Sequence, residues 1–309
     1  MNALLLVFKE NPALWLGVVA FMGLTVGSFL NVVIHRLPLM MERAWREGME
    51  ELESEASQAD AMEVNGDGTA SIAGGPTTES TETFNLAVPR SRCPNCGHGI
   101  TALENIPVIS WLMLRGKCSS CATPISARYP AVEFVTMLLS LLVAWHFGPT
   151  PQALLGIVAT WYLVAMTMID YDTYLLPDSL TLQLMWIGLL GALVPVFTDL
   201  QSAVVGAALG YGILWTIYQV FRLITGKEGM GYGDFKLLAA IGALLGWQVL
   251  PTVILLSSLV GAVVGLSLIA FSGRDKSKPI PFGPYLAAAG FIAMLWGEQL
   301  TEQYFSLIS

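Results

Sequence analysis

The chain has 309 residues, 54% of them hydrophobic and 12% charged, with a formal net charge of −8 and a mean hydropathy of +0.63. A soluble domain of this length carries roughly twice that charged fraction, so the composition excludes an ordinary water-soluble enzyme, and the lack of any basic stripe leaves no nucleic-acid partner. Charges crowd into residues 36–130 and a few short connections. That is the distribution of a polytopic helical membrane protein, because lipid admits only backbone that satisfies its own hydrogen bonds.

In chain order, the first apolar run is read as a retained helix rather than a cleaved signal peptide. Nothing basic precedes residues 4–8, no small-residue cleavage site follows, and Arg36, Arg43 and Arg46 come after the span. Runs long enough to cross a hydrocarbon core are expected near 13–34, 130–147, 152–170, 180–198, 202–223, 234–248, 251–271 and 281–297. The sixth is short and Gly-rich, which suits a tilted or partly inserted segment. The fold class expected is therefore an all-α polytopic membrane protein of about eight transmembrane helices.

Basic residues set its orientation. Arg90, Arg92, Arg115, Lys117 and Arg128 join the three arginines already named between spans one and two. Arg222, Lys227 and Lys236 surround the junction of spans five and six, and Arg274, Lys276 and Lys278 separate seven and eight. Connections 148–151, 196–201 and 248–251 hold no Lys or Arg. Alternate loops are thus cytoplasmic and both termini periplasmic, which predicts a multi-pass protein of a bacterial inner membrane.

Three parts follow: a first transmembrane helix over 1–35, a cytoplasmic loop over 36–129, and a seven-helix membrane domain over 130–309. Within the loop, 41–60 reads as a Glu-rich polar helix. Residues 64–83 are Gly, Ser and Thr with almost no large apolar group, the composition of a flexible linker. Cys93-Pro-Asn-Cys96 and Cys118-Ser-Ser-Cys121 come next, separated by residues 97–117. Each C-x-x-C turn aims two thiolates at one point, and two turns complete a tetrahedral S₄ zinc site. Asn95, Gly97 and Gly116 suit the knuckle geometry. A redox pair and unligated buried cysteines are the alternatives, and a cytoplasmic location disfavours structural disulfides. Four thiolates leave no open position for water, so the zinc expected is structural, in a small cytoplasmic module between the first two spans.

Acidic residues inside spans are costly and ask for an explanation. Asp170, Asp172 and Asp178 lie at the cytoplasmic junction of spans three and four, Asp234 where span six begins on the same side, and Glu133 at the start of span two. Asp178 follows Pro177 at a position suited to an N-cap, and capping is an alternative for Asp234. Asp170 ends an apolar run at a helix C-terminus, where the dipole disfavours an anion; the pattern alone does not choose between Asp170 and Asp172. Two carboxylates meeting at the edge of a low-dielectric phase share one proton, one taking a proton from water and the other donating to an oxyanion. His35, His98 and His146 form no nucleophile–base pattern. Gly229, Gly231 and Gly233 permit an extended, side-chain-free backbone beside Asp234, and Glu228 after Lys227 rules out a P-loop.

These segments resemble the type IV prepilin leader peptidase/N-methyltransferases over nearly the whole chain. The resemblance rests on GSFLNVVIHRLP at 27–38, both cysteine pairs, IDYDTYLLPD at 169–178, GMGYGDFK at 229–236 and PIPFGP at 279–284. It implies a G-x-G-D aspartic peptidase with Asp170 and Asp234 as the catalytic pair and zinc on Cys93, Cys96, Cys118 and Cys121. It also implies prepilin and type II secretion pseudopilin substrates, whose basic leaders are cut after a glycine on the cytoplasmic face. The new N-terminal residue is then methylated from S-adenosylmethionine. Residues 50–88 depart from the family as an insertion. No G-x-G-x-x-G follows a strand, so the methyl-donor site is unassigned; Glu133, Glu104, Asn31, His35 and Arg36 are polar residues near that face with structural readings of equal weight. A proton-coupled transporter predicts polar residues continuing across the spans, and a non-catalytic secretion scaffold predicts that the aspartates are dispensable.

Overall fold

The structure is a computed structural model, and it describes residues 2–64, 84–272 and 280–308. Residues 65–83 of the expected linker, and the basic loop carrying Arg274, Lys276 and Lys278, lie outside the described residues. Among those described, the elements are helical: α1 (Asn2–Glu10), α2 (Pro12–Val64), a short α3 (Ile109–Met113), α4 (Arg128–Phe147), α5 (Pro151–Thr173), α6 (Asp178–Leu193), α7 (Leu200–Thr225), α8 (Tyr232–Leu245), a 3₁₀ turn over Trp247–Val249, α9 (Leu250–Ser272) and α10 (Gly283–Ile308).

A helix stands at each of the eight expected positions, with two differences. The first span and the Glu-rich polar helix are one uninterrupted helix, α2, with Pro38 inside it. Among the described residues, five helices (α2, α4, α5, α7 and α9) are long and apolar enough to cross a bilayer. α8 is not among them. Its 14 residues span about 21 Å, short of the roughly 30 Å hydrocarbon core, and every residue from Asp234 to Leu244 except Lys236 is buried. A helix apolar all round belongs inside, and α6, α7 and α10 enclose it.

Close backbone contact builds this bundle. Gly23 and Gly27 of α2 lie against α4, where an added Cβ would come within 2.8 Å of Met137 Cα and 2.7 Å of Glu133 Cα. Lipid offers no hydrophobic drive between helices, so such small-residue faces gain their stability from dispersion contact. The core centres on Phe235, Leu238, Ile241, Met166 and Leu286, while Phe21, Trp145, Leu190 and Leu266 face outward. Apolar surface on this scale is stable in lipid, not in water.

Candidate functional site

Asp170 reaches the site from the last turn of α5. The helix stops at Tyr174, which sits in the left-handed region (φ 57°) and donates its N–H to the Asp170 carbonyl at 2.9 Å. The side chain is 5% exposed, and its Oδ2 accepts the Gly283 N–H at 2.9 Å. A carboxylate at its own helix's negative end is thereby set on the positive end of α10. A Cβ on Gly283 would fall 2.6 Å from that same oxygen, so any larger residue there displaces the carboxylate or the start of α10.

Asp234 occupies the first turn of α8. Gly231, not Asp234, is the N-cap residue, and no side chain caps the helix, so capping does not account for Asp234. The residue is only 7% exposed. Leu176 lies between the two segments. A Cβ on Gly233 would come within 2.6 Å of Leu176 Cβ, and one on Gly283 within 3.2 Å of Leu176 Cδ1.

The two neighbouring aspartates have other partners. Arg128 grips Asp172 through two guanidinium contacts, Nη1 to Oδ1 at 2.8 Å and a closer one from Nη2 to Oδ2. Lys236 Nζ donates to both oxygens of Asp178, at 2.6 and 2.7 Å. Asp178 is the first helical residue of α6, its N-cap position is held by Pro177, and it makes no cap hydrogen bond. The N-cap reading of Asp178 is therefore corrected: the lysine two residues past Asp234 takes its carboxylate. Of the four aspartates at this end, two are exposed ion-pair partners. Asp170 and Asp234 are buried and in no salt bridge among the described residues.

The cysteine pairs converge as their spacing predicts. The four sulfurs lie within 4.8 Å of one another, with Cys93–Cys121 at 3.7 Å and Cys96–Cys118 at 4.0 Å. Metal–sulfur bonds of about 2.3 Å in a tetrahedron put sulfurs roughly 3.8 Å apart, so the residues fit a zinc-sized ion. Each knuckle repeats one design. Cys93 N–H bonds the His98 carbonyl at 2.8 Å beside an Arg92–Gly99 bridge, and Cys118 N–H bonds that of Thr123 at 2.9 Å beside a Lys117–Pro124 bridge. The left-handed position is Gly97 (φ 72°) in the first knuckle and Ala122 (φ 56°) in the second. Gly116 serves differently: a Cβ there would lie 2.8 Å from the Trp111 ring. Hydrogen bonds from the Thr123 side chain and backbone, and from Asn95, pull the Cys121 thiol down to about 5. Ser119 and Thr101 donate to Glu104 and hold its carboxyl down to about 2.

Of the remaining polar candidates, His35 is exposed, and Asn31, Arg36 and Glu133 have structural partners. Asn31 Nδ2 donates to the Tyr129 carbonyl at 3.0 Å. Arg36, buried, donates to the Asn85, Leu86 and Pro89 carbonyls at 2.9, 3.4 and 2.6 Å. Glu133 accepts the Val108 N–H at 2.7 Å. Two cavities, of about 510 and 550 Å³, share Phe197, Leu245, Val249, Gly297 and Glu298. They open at the N-terminal end of α5 and the C-terminal end of α8, opposite the aspartates.

Sequence reasoning missed the Gly283 amide and Leu176. The signal for the first was present: Gly283-Pro284 puts proline in the first turn of a helix, at the boundary where span eight begins. Nothing local marks Leu176.

Residues 21–147 match the bacterial peptidase A24 N-terminal domain, and residues 157–266 match the type IV leader peptidase family. The chain is 53% identical to a prepilin leader peptidase/N-methyltransferase of Aeromonas salmonicida, covering 100% of both proteins. The corresponding protein of Aeromonas hydrophila is 53% identical, covering 95% of this chain and 94% of its own. That of Pseudomonas aeruginosa is 50% identical over 96% and 95%. No solved structure matches the chain. With similarity running end to end through both domains, this chain belongs to the type IV leader peptidase family, among the prepilin leader peptidase/N-methyltransferases.

Proposed function

We propose that this protein is a membrane aspartic endopeptidase that removes the basic leaders of type IV prepilins and type II secretion pseudopilins, with Asp170 and Asp234 as its catalytic pair, and that it methylates the new N-terminus. The observation that carries this reading is that Asp170 and Asp234, remote in sequence, are both buried and free of salt bridges where α5, α8 and α10 converge on Leu176, whereas the neighbouring Asp172 and Asp178 are exposed and ion-paired. In the membrane, eight helices span or fill the bilayer, the termini are periplasmic, and the aspartates and cysteine module face the cytoplasm of the bacterial inner membrane.

The chemistry follows from sharing one proton. The ionised aspartate takes a proton from water as its oxygen attacks the scissile carbonyl. The protonated one donates to the developing oxyanion, giving a neutral tetrahedral diol. Returning a proton to the departing nitrogen breaks the C–N bond, leaving a leader carboxylate and a free amine. The Gly283 amide holds Asp170 in place through the cycle. At Gly231 an added Cβ would meet only Asp234 Oδ2, at 4.0 Å, so the backbone beside that carboxylate is left clear for the peptide. A basic leader stays in water while an apolar pilin helix stays in lipid, which puts the scissile bond at the depth of Asp170 and Asp234.

Zinc on Cys93, Cys96, Cys118 and Cys121 is structural, crosslinking a module with little core of its own. S-adenosylmethionine supplies the methyl group; no residue is assigned to holding it, because Glu133, Glu104, Asn31 and Arg36 have structural partners and the exposed His35 stands alone among the described residues. A transporter is disfavoured by the apolar core between the aspartates and the cavities at the far end.

Incubating purified protein with a prepilin peptide tests the assignment. Asp170→Asn and Asp234→Asn each lower the cleavage rate by about 10²–10⁴-fold with zinc content unchanged. Cleavage persisting in both variants removes the aspartates from the mechanism and favours a non-catalytic role for them.

A further inference from the structure

We infer that the cysteine module is seated on the lipid leaflet, with α3 as an interfacial anchor whose outward face enters the bilayer; the inference is independent of the peptidase assignment and rests on the chain spanning a membrane.

The first observation is a face. Ile109, Leu112 and Met113 fall at helical i, i+3, i+4 spacing, with Ile106 one turn earlier. Leu112 is 61% and Met113 78% exposed, and Leu103, on the approach to the helix, is 77% exposed. The opposite face is the one that packs: Trp111 covers Gly116 and donates its indole N–H to the Ile125 carbonyl at 3.1 Å. The module therefore uses its side chains in the reverse of the usual order, presenting large apolar groups outward. A contiguous exposed patch of this kind marks a surface that is covered in use.

The second observation fixes depth. Val108, immediately before α3, adopts φ 60°, ψ −48°, a strained conformation for a β-branched residue. It presents its N–H to the buried Glu133 carboxylate at 2.7 Å. Glu133 lies inside α4, about 7 Å along the helix from Arg128, and Arg128 and its partner Asp172 are both partly exposed at the wet boundary. The chain at residue 108 is thus held against the flank of α4, within reach of a side chain about one and a half turns past Arg128 in a helix able to span the bilayer. α3 begins at the next residue. Exposed Arg115 and Lys117 follow it, suited to phosphate headgroups. A second copy of the chain or the segment 65–83 is the competing occupant.

The test uses the full-length, zinc-loaded protein in lipid nanodiscs of phosphatidylcholine and phosphatidylglycerol that include a phospholipid with a photoreactive group on its acyl chain. Labelled positions are mapped by mass spectrometry. Exposed residues of α4 such as Phe134 and Leu138 report that labelling works. The expected result is acyl-chain labelling within 103–113 alongside α4. The double variant Leu112→Glu, Met113→Glu is expected to lose it at 103–113 and to raise backbone hydrogen exchange there about tenfold, with zinc content and labelling of α4 unchanged. Labelling of α4 without labelling of 103–113 overturns the inference. So does a chain-to-chain or 65–83 crosslink at the patch in place of lipid. If the double variant loses zinc, Leu112→Ser alone, which keeps the helix, decides between the outcomes by the same lipid label.

Discussion

The cysteine module and the aspartate end of the bundle each bring paired groups to one point, by opposite means. In the module the pairing is local: two thiols sit one turn apart in each knuckle, and a single backbone bridge closes each turn. Its apolar residues largely face outward, so the halves are joined by the sulfurs and by side-chain hydrogen bonds from Asn95 to Thr123 and from Ser119 to Glu104 rather than by a packed core. In the bundle, Asp170 and Asp234 come from different helices and are brought to one end by the packing of α5, α8 and α10 around Leu176, with glycines where a Cβ has little room. A metal on the cysteines would compensate for absent packing; the two carboxylates are held by helix packing and, for Asp170, by the Gly283 amide. The module should therefore fail as a unit when one ligand is lost, whereas the aspartate site should be sensitive to single methyl groups.

The largest effect that would break this comparison is metal loss. Cys118→Ser, or exhaustive chelation, should abolish bound zinc, since structural zinc contributes about 10–16 kcal/mol in small modules. Residues 91–125 should become protease-sensitive while the thermal unfolding of the bundle stays within a few degrees. A module that keeps its protease resistance without metal has a packed core after all. Next is Gly283→Ala. One methyl group placed 2.6 Å from Asp170 Oδ2 must push the carboxylate or the α10 turn aside, and displacements near 1 Å cost about 10²-fold in rate. Peptide cleavage should fall by that order with zinc content untouched. Wild-type turnover in this variant means that α10 does not position the acid.

Legibility in the sequence follows the same division. The cysteine ligands were readable because their chemistry is encoded in spacing along the chain. The helices were readable because lipid enforces long apolar runs and satisfied backbone. Leu176 and the Gly283 amide were not, because their roles exist only after α6, α8 and α10 have packed. Asp178 was misjudged for the same reason. Its position after Pro177 has the local pattern of a cap, and only the fold brings Lys236 within 2.6 Å. The continuation of the first span to Val64 was missed because Pro38 usually ends a helix.

A middle-sized effect joins the two regions. Glu133→Ala strands the Val108 N–H, and an unsatisfied buried donor costs about 1–3 kcal/mol. Hydrogen exchange at Val108 should accelerate by one to two orders of magnitude, with exchange in the two knuckles unchanged. Uniform acceleration across the module instead means that Glu133 supports its fold rather than its seating.

The smallest effects concern the other two aspartates, and they sharpen the comparison most. Asp172 and Asp178 sit beside the proposed catalytic pair, carry the same functional group and lie at the same end of the bundle, so proximity alone does not separate them from Asp170 and Asp234. Environment does. Both are exposed and ion-paired, to Arg128 and Lys236, and an exposed pair contributes only about 0–1 kcal/mol because water and salt screen it. A carboxylate already committed to a guanidinium or an ammonium in water is a poor place to store a shared proton. Asp172→Asn and Asp178→Asn should therefore retain prepilin cleavage within about fivefold and shift unfolding by no more than a degree or two, with any loss diminishing as salt is raised. If either variant instead loses cleavage as completely as Asp234→Asn, burial is not what distinguishes the working carboxylates, and the pair has to be redrawn around the aspartate that proved indispensable.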